Sequence, residues 1–264
     1  MPEDDLGLIT DAIREAGKLA LGYVGSAARR WDKPDNAGPV TEADIAVNNL
    51  LVQVLRQARP AYGWLSEESE DSRERLGRES VFIIDPIDGT RSFAEGSNSW
   101  AHSIAVARGG VVTAAAIYLP ARDKLFTAAK GSGAHLNGIP ISATCATDPD
   151  SAAVLATRAA LDPCKWSRGV PRFRREHRPS LAYRLGLVAQ GRFDAMLTFR
   201  PSWEWDIAAG ALIVAEAGGT CSDATGQVLE FNRPMPCFEG VVAAGAGMHA
   251  ALLAALAPRH GTAA

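Results

Sequence analysis

The sequence lacks the usual marks of export, membrane insertion and cysteine-built architecture. Its four cysteines, Cys145, Cys164, Cys221 and Cys237, have no C-x-x-C spacing. Neither a zinc site nor a small disulfide framework is expected, and reduced thiols of a cytoplasmic protein are. The opening residues, MPEDDLGLITDAIREAG, are acidic where a secretory leader is basic, and no unbroken apolar stretch follows them. The longest apolar stretch, Val241 to Ala257, is interrupted by glycines and His249 and consists mostly of alanine. It suits a packed strand and helix better than a membrane span. A net charge of −3 removes the basic excess that a nucleic-acid polymer or an anionic membrane would select. Repeats and low-complexity linkers are absent as well, so the 264 residues read as one globular, enzyme-sized unit.

What is present divides into two textures. Leu6, Ile9, Ile13, Ala16 and Leu19, then Ile45, Leu50, Leu51, Val54 and Leu55, recur at helical spacing with charges opposite, which predicts two amphipathic helices. Between them RRWDKPDNAGP has the chemistry of a loop. From Val81 short β-like runs follow, VFIID, WAHSIAVAR, VVTAAAIYL and KLFTAA, separated by glycine-rich turns that favour an antiparallel sheet. After about Ile141 strands and helices alternate: AAVLATR, SLAYRLGLVAQG, FDAMLTF, WDIAAGALIVAEAGG, GVVAAG and a final alanine-rich helix. The expected division is therefore residues 1–140, helices plus an antiparallel-rich sheet, and residues 141–264, an α/β half packed tightly against it.

The densest chemistry lies in VFIIDPIDGT, where a buried strand ends on Asp85 and Asp88. Ionised groups at the edge of a core must be paired or must hold cations. Gly89 lets the chain turn sharply, and the N–H groups after it can receive a phosphate. Other acids flank the pair: Glu67 and Glu68 in SEES, Glu42 and Asp44 in VTEAD, and Asp206 in WEWDIAAG. Several carboxylates from separate segments are what a hard divalent cation such as Mg²⁺ requires, and the Ile87 carbonyl can add another oxygen. Taken singly, each has a plainer role. Thr41-x-x-Asp44 reads as a helix capping box, the SEES glutamates as a solvated loop, Asp206 as a helix N-cap, and Trp203 and Trp205 as core packing.

Taken together, PVTEAD, SEES, IIDPIDGT and WEWDIAAG, in this order and at these separations, resemble the magnesium-dependent, lithium-sensitive phosphatases of the inositol monophosphatase superfamily. Within it the bacterial 3'(2'),5'-bisphosphate nucleotidase branch is the most similar. The resemblance runs from about Lys33 to Gly219. It implies an α+β fold, a layered α/β/α/β/α sandwich, and two or three Mg²⁺ ions. By the same resemblance, Glu67, Asp85 and the Ile87 carbonyl hold one ion, and Asp85, Asp88 and Asp206 hold another. Thr90 and Asp44, assisted by Glu67, orient and deprotonate a water. Lys33 lies near the metals, and Gly89, Thr90 and Asp88 meet the phosphate. Similar enzymes are commonly homodimers. The partner implied is a small phosphate ester, with no nucleic-acid polymer and no membrane.

Two rivals are weighed against this. Haloacid-dehalogenase phosphatases also end a strand in D-G-T but space their acids D-x-D, whereas this chain has D-x-x-D. A non-catalytic regulator that keeps only the fold is the other, although every acid and the threonine that the reaction needs are present. For the substrate, inositol-specific members resemble one another in a glutamate shortly before the Trp-Asp pair. Phe199 and Arg200 stand near that position here. Glu204-Trp205-Asp206 and DGTRSF look more like the nucleotidase branch. Seven basic residues, Lys165, Arg168, Arg172, Arg174, Arg175, Arg178 and Arg184, offer partners for a second phosphate. The lysine of the S-S-L-K-F segment found in many bacterial nucleotidases is missing from Pro179-Ser180-Leu181-Ala182-Tyr183, so Arg184 must reach the same side to replace it. The expected substrate is 3'-phosphoadenosine 5'-phosphate, with inositol 1-phosphate second and histidinol phosphate or other sugar phosphates after it.

Overall fold

Helical periodicity opens the chain. In the computed structural model, which describes residues 2–24, 29–33 and 38–257, α1 is Pro2–Leu21 and buries Ile9, Ile13 and Ala16 along one face. The expected loop after it is partly a ribbon, because Trp31, Val40 and Thr41 suit extended backbone. Here β1 (Arg30–Asp32) pairs antiparallel with β2 (Pro39–Thr41), while residues 34–37 of that predicted loop lie outside the described residues. Helix α2 (Glu42–Ala58) buries Val47, Leu51 and Leu55 beside α1.

A seven-stranded sheet follows, ordered as the chain runs: β3 (Gly63–Ser66), β4 (Ser80–Asp88), then past the short helix α3 (Thr90–Ala94), β5 (Ala101–Arg108), β6 (Val111–Leu119), β7 (Lys124–Ala129), β8 (Ala134–Leu136) and β9 (Ile139–Pro140). Only β3 and β4 run parallel; the other pairs are antiparallel, as the glycine turns predict. Strand β4 is buried along its whole length because helices cover both faces of the sheet, which is why it reads as an unbroken apolar run. Phe82, Ile84, Ile104 and Val106 pack under α1 and α2, and their neighbours Val81, Ile83 and Ala105 face the other way.

The second half builds a five-stranded sheet with a helical layer between it and the first. Its elements are β10 (Ala153–Ala156), β11 (Arg174–Glu176), α4 (Leu181–Ala189), β12 (Ala195–Trp203), α5 (Glu204–Glu216), β13 (Gly219–Asp223), β14 (Cys237–Gly245) and α6 (Ala246–Ala255). The strand order is β11-β10-β12-β14-β13, parallel around β10 and antiparallel around β14. All nine residues of α4 are buried, since α4 and α5 fill the space between the sheets. Helix α6 closes the outer face with Met248 and Leu252. The layers run α1/α2, sheet, α4/α5, sheet, α6: the α+β sandwich that the resemblance implies.

Candidate active site

The D-x-x-D spacing has a geometric consequence. Side chains alternate along a strand, so residues three apart point to opposite faces. Strand β4 escapes this through a bulge: Asp85 pairs with Ser103 and Asp88 with Ala101, so Pro86-Ile87 on one strand faces a single residue on the other. Proline, with no N–H to give the ladder, fits such a position. The bulge brings both carboxylates to one side, and the start of α5 brings a third. Asp85, Asp88 and Asp206 offer oxygens within 4.8 Å of one another. Ser103 Oγ donates to the Trp205 carbonyl at 3.1 Å, tying α5 to the strand beside Asp85. Asp206 is the third residue of α5 and not its N-cap, a position held by Trp203, so its carboxylate is available to the cluster.

Burial, then Glu67 and the two neighbouring aspartates, push the Asp85 carboxyl well above its ordinary range. Burial, then Asp88 and Glu67, likewise raise Asp206, against the pull of Arg200. Asp85 Oδ1 is buried with no hydrogen-bond partner among the described residues. Three mutually repelling carboxylates, two buried and one half-buried, with an unsatisfied oxygen fit a hard divalent cation. Asp88 is held differently: its Oδ2 accepts the Ser180 hydroxyl at 2.7 Å and the Ala182 N–H at 2.6 Å, so it sits on the N-terminus of α4. Glu67 follows β3, where its N–H bonds to the Ile84 carbonyl one residue before Asp85. Lys33 Nζ bridges Glu67 at 2.8 Å and Glu68 at 2.6 Å. The SEES glutamates are therefore half-buried partners of a lysine. Burial opposes the Lys33 charge, yet Glu67 and Glu68 outweigh it and raise its pKa, while burial lifts Glu68 to about 7.

Asp44 serves both the cap and the site. Its Oδ2 accepts the Thr41 N–H at 2.8 Å, the Asp44 half of the capping box, and also the Thr41 hydroxyl. Its Oδ1 meets the Thr90 hydroxyl at 3.1 Å, and that hydroxyl is also 3.1 Å from the Ile87 carbonyl. Burial raises Asp44 to about 6 against the pull of these hydrogen bonds. Gly89 turns at φ +97° ahead of α3, a conformation that favours glycine.

Beyond the acids lie two cavities that share Arg200 in their walls. One, of about 400 Å³, is lined by Lys33, Glu67, Arg200, Trp203, Trp205 and Asp206. The tryptophans correct the expectation of simple core packing. Their rings stack 4.9 Å apart at 8°, and Trp203 is 42% exposed at the end of β12, where only Trp205 reaches the core. The other, of about 340 Å³, runs from Gly89 past Arg91 and His177 to Arg184 and Arg200. Of the seven basic residues singled out in the sequence, Arg184 alone lines either cavity. The others lie along β11, at the sheet edge, and in its approaches: Arg172 pairs with Asp150, Arg175 with the Ala156 carbonyl, Arg178 with Glu176. Arg184 is 2% exposed and its Nη1 has no partner among the described residues. Burial lowers it to about 10, although Asp88 opposes the shift.

Sequence reasoning missed Ser103, Ser180 and the reach of Arg200. Serine before the apolar run LAYRLGLVA is a legible N-cap, and Ser180 Oγ does accept the Tyr183 N–H at 3.0 Å. Arg200 depends on a second bulge, in β12 between Thr198 and Pro201 opposite Gly240, where a Cβ would lie 2.6 Å from the Thr198 carbonyl oxygen.

The sequence pattern of the inositol monophosphatase family matches residues 3–262. Among relatives, an inositol-1-monophosphatase of Rhizobium meliloti is 32% identical over 254 residues, covering 84% of this chain and 86% of that protein. A histidinol-phosphatase of Chlorobaculum parvum is 34% identical over 260 residues, 96% of each. Among solved structures, an IMPase of Thermotoga maritima superposes with a TM-score of 0.81 at 27% identity, covering 95% of this chain and 97% of that one.

Proposed function

The chain belongs to the inositol monophosphatase family, phosphatases that hydrolyse phosphomonoesters, and from that premise we propose that it is a Mg²⁺-dependent phosphatase whose preferred substrate is 3'-phosphoadenosine 5'-phosphate, cleaved to AMP and phosphate. The observation that carries the reading is the convergence of Asp85, Asp88 and Asp206 beside the Thr90–Asp44 pair.

Asp85, Asp88 and Asp206 would hold one ion, and Glu67, Asp85 and the Ile87 carbonyl another. Mg²⁺ bound there supplies charge neutralisation and a lowered pKa for water. The protein's own groups do the rest. Thr90 Oγ accepts a hydrogen bond from the attacking water and passes its own proton toward Asp44. An Asp44 pKa of about 6 suits a group that takes up a proton near neutral pH. Glu67 assists, held in line by Lys33. The N–H groups at Gly89 and Thr90 receive the phosphoryl oxygens as charge builds on them.

What supports a bisphosphate is the cationic second cavity. Arg184 and Arg200 flank the wall that begins at Gly89, within reach of a second phosphate on the same molecule. The stacked pair Trp203 and Trp205 offers an aromatic face for a base next to the acids. No ring-hydroxyl-reading carboxylate stands at the Phe199-Arg200 position, which counts against inositol 1-phosphate as the best substrate. That ester remains the second reading because of the Rhizobium meliloti relative, ahead of histidinol phosphate. Free thiols at all four cysteines suit the reducing cytoplasm. By the same reading Li⁺ inhibits where Na⁺ does not.

Phosphate release from 3'-phosphoadenosine 5'-phosphate, inositol 1-phosphate and histidinol phosphate, with and without Mg²⁺, tests the proposal. Mg²⁺-dependent release with the highest kcat/KM on the nucleotide is expected. Release unaffected by removal of Mg²⁺ overturns the mechanism, and a preference for inositol phosphate overturns the substrate. Arg200→Ala should raise KM for the nucleotide and leave the inositol ester nearly unchanged.

A further inference from the structure

A third cavity, of about 760 Å³, lies on the far side of the loop that carries His177 and Pro179, outside the acidic centre. Arg122 and Lys124 reach it from the turn into β7, Arg174 from β11, Arg178 from the loop and Arg192 from the turn after α4; Glu176 is its single carboxylate. Five basic side chains against one carboxylate among the described residues is a strong local excess in a chain whose net charge is −3. That carboxylate is already engaged by Arg178 at 3.1 Å. Arg122 is fixed but not neutralised: its guanidinium donates to the Asn98 carbonyl at 2.8 Å, to Asn98 Oδ1 at 2.6 Å and to Ser99 Oγ at 3.2 Å, and it lies over the Tyr183 ring. Lys124 feels the crowding directly, since burial and then Arg192 and Arg122 lower its pKa. Cations held this close without counter-charge are stabilised by an anion that bridges them.

We propose that this basin is a second binding site of the protein, separate from the reaction centre, for a small polyanion carrying two or more linked phosphates. Three features select that class. Guanidinium forks on several sides favour a ligand with multiple phosphoryl groups over a single one. The volume falls in the range of small-ligand sites. Tyr183, Leu187 and Phe193 of the lining are buried while Arg122, Arg174 and Arg192 are exposed, so the charges stand toward solvent where a polyanion can reach them. Occupancy also bears on the reaction centre through one loop: His177 Nε2 is 2.8 Å from Arg184 Nη2, and His177 lines both cavities.

Inorganic tripolyphosphate titrated calorimetrically into the full chain, freed of divalent cations so that the acidic centre repels the probe, tests the site. One-to-one binding is expected that weakens as NaCl is added. The double variant Lys124→Ala/Arg192→Ala should lose about tenfold or more in affinity, as should the single variant Arg122→Ser, while Arg200→Ala in the other cavity changes little. Arg192→Lys keeps charge and should keep most of the binding, which separates lost charge from lost fold. Orthophosphate should bind at least about tenfold more weakly than the probe. Absence of saturable binding, unchanged affinity in both Arg122→Ser and the double variant, loss in Arg200→Ala instead, or orthophosphate binding as tightly as tripolyphosphate would each overturn the proposal.

Discussion

Asp88 carries two loads at once. Its Oδ2 seats the N-terminus of α4 through Ser180 and Ala182, and its carboxylate also offers an oxygen to the acid cluster. Asp88→Asn therefore removes a helix anchor along with a charge, and its loss of activity cannot be read as a ligand effect alone. Asp206→Asn is cleaner. It should cut turnover on the order of a thousandfold, the scale of a lost charge-stabilising contact. It should also raise the melting temperature of the Mg²⁺-free protein, because one of three repelling carboxylates is gone. Turnover and thermal unfolding of the same variant check both. Thr90→Ala should likewise depress turnover far more than it weakens Mg²⁺ binding. Asp44→Asn should do the same and also lose about 1 kcal/mol of capping. His102 gives a separate pH prediction. It is buried, its Nδ1 meets the Pro86 carbonyl in the bulge, and burial lowers it to about 4. The unfolded chain takes up this proton near pH 6.5, the folded one only near 4. Stability from this group is therefore complete above about pH 6.5 and is lost as pH falls toward 4, by about 2 kcal/mol at pH 5. Urea unfolding at both pH values, wild type against His102→Asn, isolates that difference.

At the scale of elements, two bulges and one helix start determine where the chemistry sits. The bulge in β4 gathers Asp85 and Asp88, that in β12 turns Arg200 toward the cavities, and α4 begins on the carboxylate of Asp88. Ser180→Ala should cost about 1 kcal/mol as a lost N-cap. Because Ser180 also steadies Asp88, it should raise the Mg²⁺ concentration needed for half-maximal activity; a variant that melts earlier with an unchanged Mg²⁺ requirement would show that the helix alone is affected. The central helices leave little tolerance. A Cβ on Gly210 of α5 would lie 2.3 Å from Leu185 Cδ1 of α4. Gly210→Ala should destabilise by about 1 to 3 kcal/mol despite its better helix propensity, measured as a lower urea midpoint.

For the whole molecule, the central layer joins the halves. Residues from the first sheet, such as Leu65 and Ile83, share one apolar cluster with Leu185, Ile213 and Val241 from the second half. The expected division at residue 140 falls at the end of β9, but neither sheet has a finished face without α4 and α5. We propose that the two halves unfold together. Far-ultraviolet circular dichroism and tryptophan fluorescence should report coincident urea transitions, and separate midpoints would overturn this.

The sequence by itself determined the elements with strong periodicity and, by way of the family motifs, the five layers, and among the acids it singled out are the three that converge. Those signals are local: an apolar stripe at 3.6 residues, a buried strand ending on charge, a cap before a helix. Short strands such as β3, β8 and β11 escaped notice because three or four residues carry no period, and their pairing depends on neighbouring strands. Composition grouped the basic residues of 165–184 by adjacency, while the sheet edge turned most of them away from the centre. Only the tertiary structure could add Arg200 to Arg184 and gather Arg122, Arg174 and Arg192 around one basin. Electrostatic partnership depends on distance in space, and bulges, helix starts and the packing of layers set that distance.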